Sequence, residues 1–391
     1  MDRRSFLGVA AAFGVPGLAG CSAAPEGSAS ASDPTPSPGP RSGLELPVPE
    51  SELHRSAQRD EIPAITDPAF ADDWSGVELS TRTFDPEFPD REYEYTIRPR
   101  LEPDDIVVGI ERRGEARAYP LRVLNWHEVI NDRLGSPLLV TYCPLCDSGV
   151  VVERAVDDES STFGVSGLLW RANLVMYDRL TGSLWSQLRA VAIRGPATGT
   201  GLSLLPARTT TWRKWRRAHP ETGVLLPPPL SDTVAGRDAT RDYNRNPYFG
   251  YESTSRAGVG YEEFEDDRLH PKTNVLGISH GGVARAYPLP AMLEAGVVNG
   301  SVGGLPVVVA AGPDDELVAY DRRIEGRTLR FSPADSGRLV AGGSEWDLTT
   351  GRAVAGPLAG SSLRPATDRS PMFWFAWADL QPGTEVFNGS D

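Results

Sequence analysis

Two cysteines, Cys143 and Cys146, stand in the run Thr-Tyr-Cys-Pro-Leu-Cys-Asp-Ser-Gly at 141–149, and the only other cysteine, Cys21, lies near the N-terminus. A thiolate is both a nucleophile and a ligand for soft metals. The spacing therefore admits a dithiol–disulfide couple, a metal grip or a small structural disulfide. Which of these applies depends on the backbone carrying the pair. The stretches 136–140 and 150–153 are apolar and β-branched, so the cysteines are predicted on a hairpin. A thioredoxin-like couple needs a helix N-terminus to lower its first thiol pKa. The strand-like residues after Asp147, and the lack of a surrounding βαβ pattern, disfavour that geometry.

A Cys-Pro-x-Cys hairpin is instead the shape of a metal knuckle, with both thiolates facing one ion and the turn's N–H groups facing the sulfurs. His127 would be the third ligand as neutral imidazole, and the Met176 thioether the fourth. Two thiolates, an imidazole and a thioether suit copper, or zinc with an open position. The leading expectation is thus a soft-metal site at Cys143, Cys146, His127 and Met176. Tyr142, Glu128, Ser166, Trp185 and Gln187 are candidates to line it. A thiol–disulfide redox protein using the same pair is the first alternative. A non-catalytic binding or scaffold module is the second, its cysteines closing a small, strained loop that stabilises less than a long-range bridge. Whether any reaction is catalysed is left open.

The elements that must position these residues follow from local pattern. Residues 106–110 and 116–119 alternate around a turn at 112–115 and read as paired strands. A short helix is expected over 120–131, then strands at 138–142, 150–154, 163–166 and 174–177. The turn at 178–182 ends in a glycine suited to positive φ. A second short helix is expected at 212–217. Residues 227–261 read as an ordered, aromatic-bearing loop crossing between two halves.

The pattern then starts again. Residues 275–278 and 282–289 match 107–110 and 114–121, and 305–309 match 136–140. Asp347 to Gly351 matches the turn Asp178 to Gly182, and Gly356-Pro357 echoes Gly195-Pro196. The expected fold is α+β, mainly β: two tandem, pseudo-symmetric β-rich repeats with a few short helices, related by duplication. The comparison separates framework from chemistry. Gly312-Pro313-Asp314-Asp315 stands where the cysteines would be, Ala295 where His127 is, Gly296 where Glu128 is and Glu345 where Met176 is. Tyr142, Ser166, Trp185, Ser186 and Gln187 find no counterpart either, so the first half is expected to carry the site.

The boundaries read as follows: a signal at 1–21, a disordered Ser/Pro/Ala-rich tether at 22–60, a first repeat at 61–226, a connector at 227–270 and a second repeat at 271–391. Arg3-Arg4 begins a twin-arginine pattern, and the apolar run at 9–18 falls short of the roughly 20 residues a membrane span needs. Leu18-Ala19-Gly20-Cys21 resembles a lipobox. The expectation is export after folding, cleavage before Cys21 and a lipid anchor on its sulfur at the outer face of the cell membrane. A net charge of −14 over 391 residues argues against nucleic acid as a partner. No protein partner is indicated, and a monomer is expected. With 34 prolines and 40 glycines, turns should outnumber long helices.

The series 124–132, 140–146, 163–167 and 175–187 resembles the Domain of Unknown Function 3179 family, and the likeness runs from about residue 104 to 387. Asp147 departs from it, since a smaller residue sits more easily in a tight sulfur knuckle. The resemblance implies a fold unit and no particular activity.

Overall fold

Alternating apolar residues at 106–120 resolve into the antiparallel strands Ile106–Arg112 and Glu115–Pro120. The two-residue turn between them puts Arg113 and Gly114 at φ 53° and 79°, the twist that favours hairpin closure. The computed structural model describes residues 37–38, 44–84, 92–156, 159–235, 239–335 and 337–389. Arg3, Arg4, Cys21 and the tether up to residue 36 lie outside the described residues.

Helix α1, Leu121–His127, starts directly after Pro120, whose fixed φ suits a helix entry. It ends four residues before the expected limit of 131. Glu128 takes φ 55°, and the β-branched Val129 and Ile130 carry the chain into the strand Val129–Leu134. That strand pairs with Ser136–Cys143, which pairs with Ser148–Glu153, so the cysteine hairpin joins the centre of a sheet. A second sheet runs Val191–Arg194, Leu184–Ser186, Asn173–Asp178, Phe163–Trp170, Leu53–Arg55. The expected tether limit of 60 is therefore too late. Leu44, Leu46, Val48 and Leu53 alternate and pack with Trp170, Val175 and Ile193, and Leu53–Arg55 pairs with Leu168–Trp170 in register.

The protein is mainly β, with four α-helices among the described residues. Arg208–Thr211 flanks the first hairpin, and helix α2, Trp212–Ala218, leads to Gly223–Leu225, which lies parallel to Glu115–Pro120. In the later part Met372–Phe373 flanks the hairpin of Asn274–His280 and Val283–Pro288. Helix α3, Leu289–Ala295, follows that hairpin, and α4, Trp374–Leu380, leads to the parallel strand Glu385–Val386. One apolar cluster contains Cys143, Cys146, Met176 and Trp185 together with Met372, Phe373, Trp374, Phe375 and Trp377. The cysteine hairpin thus shares its core with α4.

Two corrections concern the sequence comparison. The turn Asp178 to Gly182 joins the strands Asn173–Asp178 and Leu184–Ser186, whereas Asp347 to Gly351 joins Ser344–Asp347 to Ala353–Ala355, one strand later in its sheet. The shared turn motif misaligned the hairpins. Trp185, expected to find no counterpart, shares its kind of packing with a second tryptophan, Trp346. Trp185 meets Phe163 edge-on at 5.6 Å, and Trp346 meets Phe331 edge-on at 5.7 Å. Each phenylalanine is clamped by an asparagine amide that donates to its C=O and accepts from its N–H, Asn131 for Phe163 and Asn299 for Phe331.

Gly109 and Gly277 face the indoles of Trp215 and Trp377, and a Cβ at either would run into the ring. Both indole N–H groups are fixed by threonines, Thr222 and Thr384. Overpacking a core costs about 1–3 kcal/mol. Gly109→Ala and Gly277→Ala should each lower the unfolding free energy by about that much in denaturant titrations. Wild-type stability for both would remove the close-approach argument.

Candidate functional site

Cys143 ends one strand and pairs with Ser148, leaving Pro144 to Asp147 as the turn. The Cys146 N–H donates to the Cys143 carbonyl at 3.1 Å, which folds the second sulfur back toward the first. Both are free thiols, 1% and 0% exposed. Asp147, awkward for a tight turn, adopts φ 50°. Its carboxylate is held at both ends, by the Tyr142 hydroxyl at 2.7 Å and the Asn274 amide at 2.9 Å. Burial pushes this carboxyl up to about 6 despite those two donors. Tyr142, one residue before Cys143, belongs to a different core cluster and turns away from the sulfurs.

The opposite wall comes from the turn between Phe163–Trp170 and Asn173–Asp178. Arg171 and Ala172 both adopt positive φ, 51° and 58°, which side-chain-bearing residues rarely do in succession. This turn aims the Ala172 carbonyl at both thiols, 3.4 Å from Cys146 Sγ and 3.9 Å from Cys143 Sγ. The Asn173 amide donates to Cys146 Sγ at 3.5 Å and to Gln187 Oε1 at 2.9 Å. Gln187 in turn donates to Thr141 Oγ1 and the Ser148 carbonyl, both at 3.1 Å. Gln187 therefore braces the hairpin from behind, one step removed from sulfur.

The two sulfurs are electrostatically unequal. Burial opposes charge on Cys143, yet the Cys146 S–H and the backbone N–H groups of Leu174, Cys146 and Leu145 outweigh it and hold this thiol below its ordinary value. Burial and the neighbouring Cys143 push the Cys146 thiol well up. Charge is therefore favoured on Cys143 over Cys146.

Glu128, just past the end of α1, is the acidic neighbour. Its N–H donates to Leu124 O, its carbonyl accepts from Tyr142 N–H, and its carboxyl accepts from the Tyr248 hydroxyl at 3.3 Å. Burial first, and the Cys143 charge second, push this carboxyl up to about 8, so it is neutral at pH 7. The connector supplies the cover. Tyr251 donates to the Leu145 carbonyl at 3.1 Å, and Lys272 Nζ lies 3.6 Å from the Tyr251 ring centroid while donating to Thr254 Oγ1 at 2.6 Å. Sequence reasoning missed Tyr248 and Tyr251, whose only signal was an aromatic cluster in the connector, and Lys272, which lies just past the connector's expected end at 270.

His127 is placed elsewhere. Its Nδ1 lies 2.7 Å from the Pro63 carbonyl, which only accepts, so Nδ1 carries the proton. Nε2 then accepts from the Tyr243 hydroxyl at 2.9 Å, leaving no free lone pair for a metal. Burial holds this imidazole down at about 4, hence neutral. Met176 is a buried strand residue paired across the ladder with Val165 and Trp185. Trp185 is core, its N–H donating to Asp178 at 2.8 Å. Ser166 sits in a bulge, its hydroxyl donating to the Val175 carbonyl at 2.5 Å, among the residues of a separate cavity. Among the described residues no three His, Cys, Asp or Glu side chains gather as a metal site. The sequence expectation of two sulfurs plus His127 is therefore not assembled here.

The profile of one family, described as Protein of unknown function (DUF3179), matches residues 59–384, most of the chain. The chain belongs to the DUF3179 family. No curated protein and no solved structure matches it. The DUF3179 match spans the cysteine hairpin, Glu128, the connector and α4, so every group that touches the sulfurs lies inside the family unit. No helix of the described residues is long and apolar enough to cross a membrane.

Two titrations test this electrostatic arrangement. The folded chain keeps a proton on Glu128 that the unfolded chain releases between the ordinary value of 4.5 and about 8. The resulting stabilisation is complete below the lower value and is lost as pH rises through the upper one. Glu128→Gln should remove this slope, so its denaturant midpoint should gain on wild type between about pH 5 and about pH 9. His127 has the opposite sign. Its contribution is present above the ordinary 6.5 and is lost as pH falls through about 4, an acid slope that His127→Gln should flatten. Parallel pH profiles of wild type and each variant would overturn the assignments.

Proposed function

We propose that the chain is a thiol–disulfide redox protein working through Cys143 and Cys146. The observation that carries this reading is the asymmetry of the buried pair: the Ala172 carbonyl lies nearer Cys146 Sγ, at 3.4 Å, than Cys143 Sγ, at 3.9 Å, while the Cys146 side chain and three backbone N–H groups lower the Cys143 thiol. Lowering one thiol of a close pair is what makes a nucleophile with a resolving partner. Against a disulfide substrate, Cys143 thiolate attacks one sulfur, forms a mixed disulfide and releases the other sulfur as a thiolate. Cys146 then gives up its proton and attacks Cys143 Sγ, closing the internal disulfide and releasing the second substrate sulfur. The substrate gains two electrons and the pair loses two. Glu128, whose carboxyl is pushed up to about 8 by burial and then by the Cys143 charge, is the acidic neighbour of the attacking sulfur. A soft metal held by the two sulfurs alone is the competing outcome, since His127 has spent its lone pair on Tyr243.

The chain also reads as a duplicated unit, its first half active and its second a support. Several recurrences support this: the strand order around each first hairpin, the Gly–Trp–Thr contacts behind it, and the Asn–Phe clamps of 131 with 163 and 299 with 331. At the helix ends, Gly296 N–H donates to Met292 O, as Glu128 N–H does to Leu124 O. Arg3, Arg4 and Cys21 support placement as an exported lipoprotein at the outer face of the cell membrane.

The redox reading is tested by trapping. Cys146→Ser should hold a mixed disulfide with an aromatic disulfide reagent, wild type should resolve it to an internal disulfide, and Cys143→Ser should do neither, as read by intact mass. Equal trapping by Cys143→Ser, or no reaction of wild type, would sink the proposal. Elemental analysis showing metal that disappears in the double serine variant would favour the competing outcome.

A further inference from the structure

A cavity of about 300 Å³ lies beside the strand Leu53–Arg55, apart from the cysteines, and its lining includes Arg55, Arg59, Ser166, Leu184 and Arg194. Gly182, at φ 72°, leaves open space where a Cβ would meet nothing, and Leu168 and Gly195 complete the lining. Three guanidiniums around one small cavity run against a chain whose net charge is −14. Local carboxylates neutralise only one of them. Glu50 pairs with Arg194 at 2.7 Å, and Asp60 accepts from the Tyr177 hydroxyl at 2.6 Å and meets Arg179 at 3.5 Å. Among the described residues no ion pair involves Arg55 or Arg59. Arg59 lies over the Tyr177 ring at 4.4 Å from the centroid, which holds its planar head in place without neutralising it. The Ser166 hydroxyl is spent on Val175 O and Leu168 N–H, so guanidiniums are the donors that remain.

We propose that this cavity binds a phosphate group. Guanidinium forks match the oxygens of phosphate with paired charge-assisted hydrogen bonds, and several around one small space suit a multiply charged tetrahedral anion. The phosphate can belong to a small soluble ligand or to a lipid headgroup.

The test uses the full chain at low ionic strength, with inorganic phosphate followed by calorimetry and chloride at matched ionic strength as reference. In a second arm, sedimentation compares vesicles containing phosphatidylglycerol with vesicles of phosphatidylcholine alone, which a lipid anchor would bind alike. Arg55→Ser/Arg59→Ser should weaken phosphate binding more than roughly tenfold, given the worth of hydrogen bonds to charged groups. Arg338→Ser, a distant and half-exposed site, should leave binding unchanged. Loss confined to inorganic phosphate marks a soluble ligand, and arginine-dependent preference for phosphatidylglycerol marks a headgroup. Heats equal to those of chloride, or binding indifferent to both arginines in both arms, would overturn the proposal. A melting curve checks that the double variant folds, and Arg59→Ser alone replaces it otherwise.

Discussion

Two sulfurs enclosed in one apolar core resist carrying charge together, and the N–H groups of Leu174, Cys146 and Leu145 favour it on Cys143. That constraint organises everything near the hairpin. Cys143 faces N–H groups and Cys146 sits closer to a carbonyl, so one site favours thiolate and the other favours thiol. The left-handed pair Arg171 and Ala172 and the left-handed Asp147 are backbone conformations that cost energy wherever side chains are present. They occur together where they aim a carbonyl and a turn at sulfur.

Glu128 makes the same point from the other side. The end of α1 needs a residue at positive φ, which glycine supplies at no steric cost, and Gly296 stands at the end of α3 with φ 67°. At the end of α1 the chain places glutamate instead and buries its carboxyl. Strain of that kind persists when surrounding packing enforces it and the side chain has a use. The carboxyl lies close enough to Cys143 for the thiolate charge to be felt, which is the use proposed here.

Much of the framework was legible because it obeys local rules. Alternation marked the hairpins, Pro120 marked a helix entry and apolar runs around the cysteines marked a hairpin in a sheet. What escaped was set by distant partners. His127 looked like a ligand because its partners, Pro63 and Tyr243, lie 64 and 116 residues away in sequence. Tyr248 and Tyr251 reach the sulfurs from a connector with no periodicity to read. Asp147 seemed too large for its turn because Asn274, which anchors it, lies 127 residues on. Trp185 was set apart because the Asp-x-x-Thr-Gly motif occurs in differently placed hairpins at 178–182 and 347–351. Ring packing against an asparagine-clamped phenylalanine, not the motif, is what Trp185 and Trp346 share.

Burial gives the site its remaining property. Thiols with 1% and 0% exposure meet no large substrate until the cover moves, and two bonds of that cover reach the site, from Tyr248 at 3.3 Å and from Tyr251 at 3.1 Å. On the redox reading, the two events are linked. Closing the disulfide removes the Cys143 charge that helps keep Glu128 protonated, so the carboxyl ionises more easily in the oxidised state. An ionised, buried carboxylate draws its hydroxyl donor closer or admits water, and the donor is Tyr248 of the cover. On that reading a change at the sulfurs would be felt, through one proton, at Tyr248 of the connector.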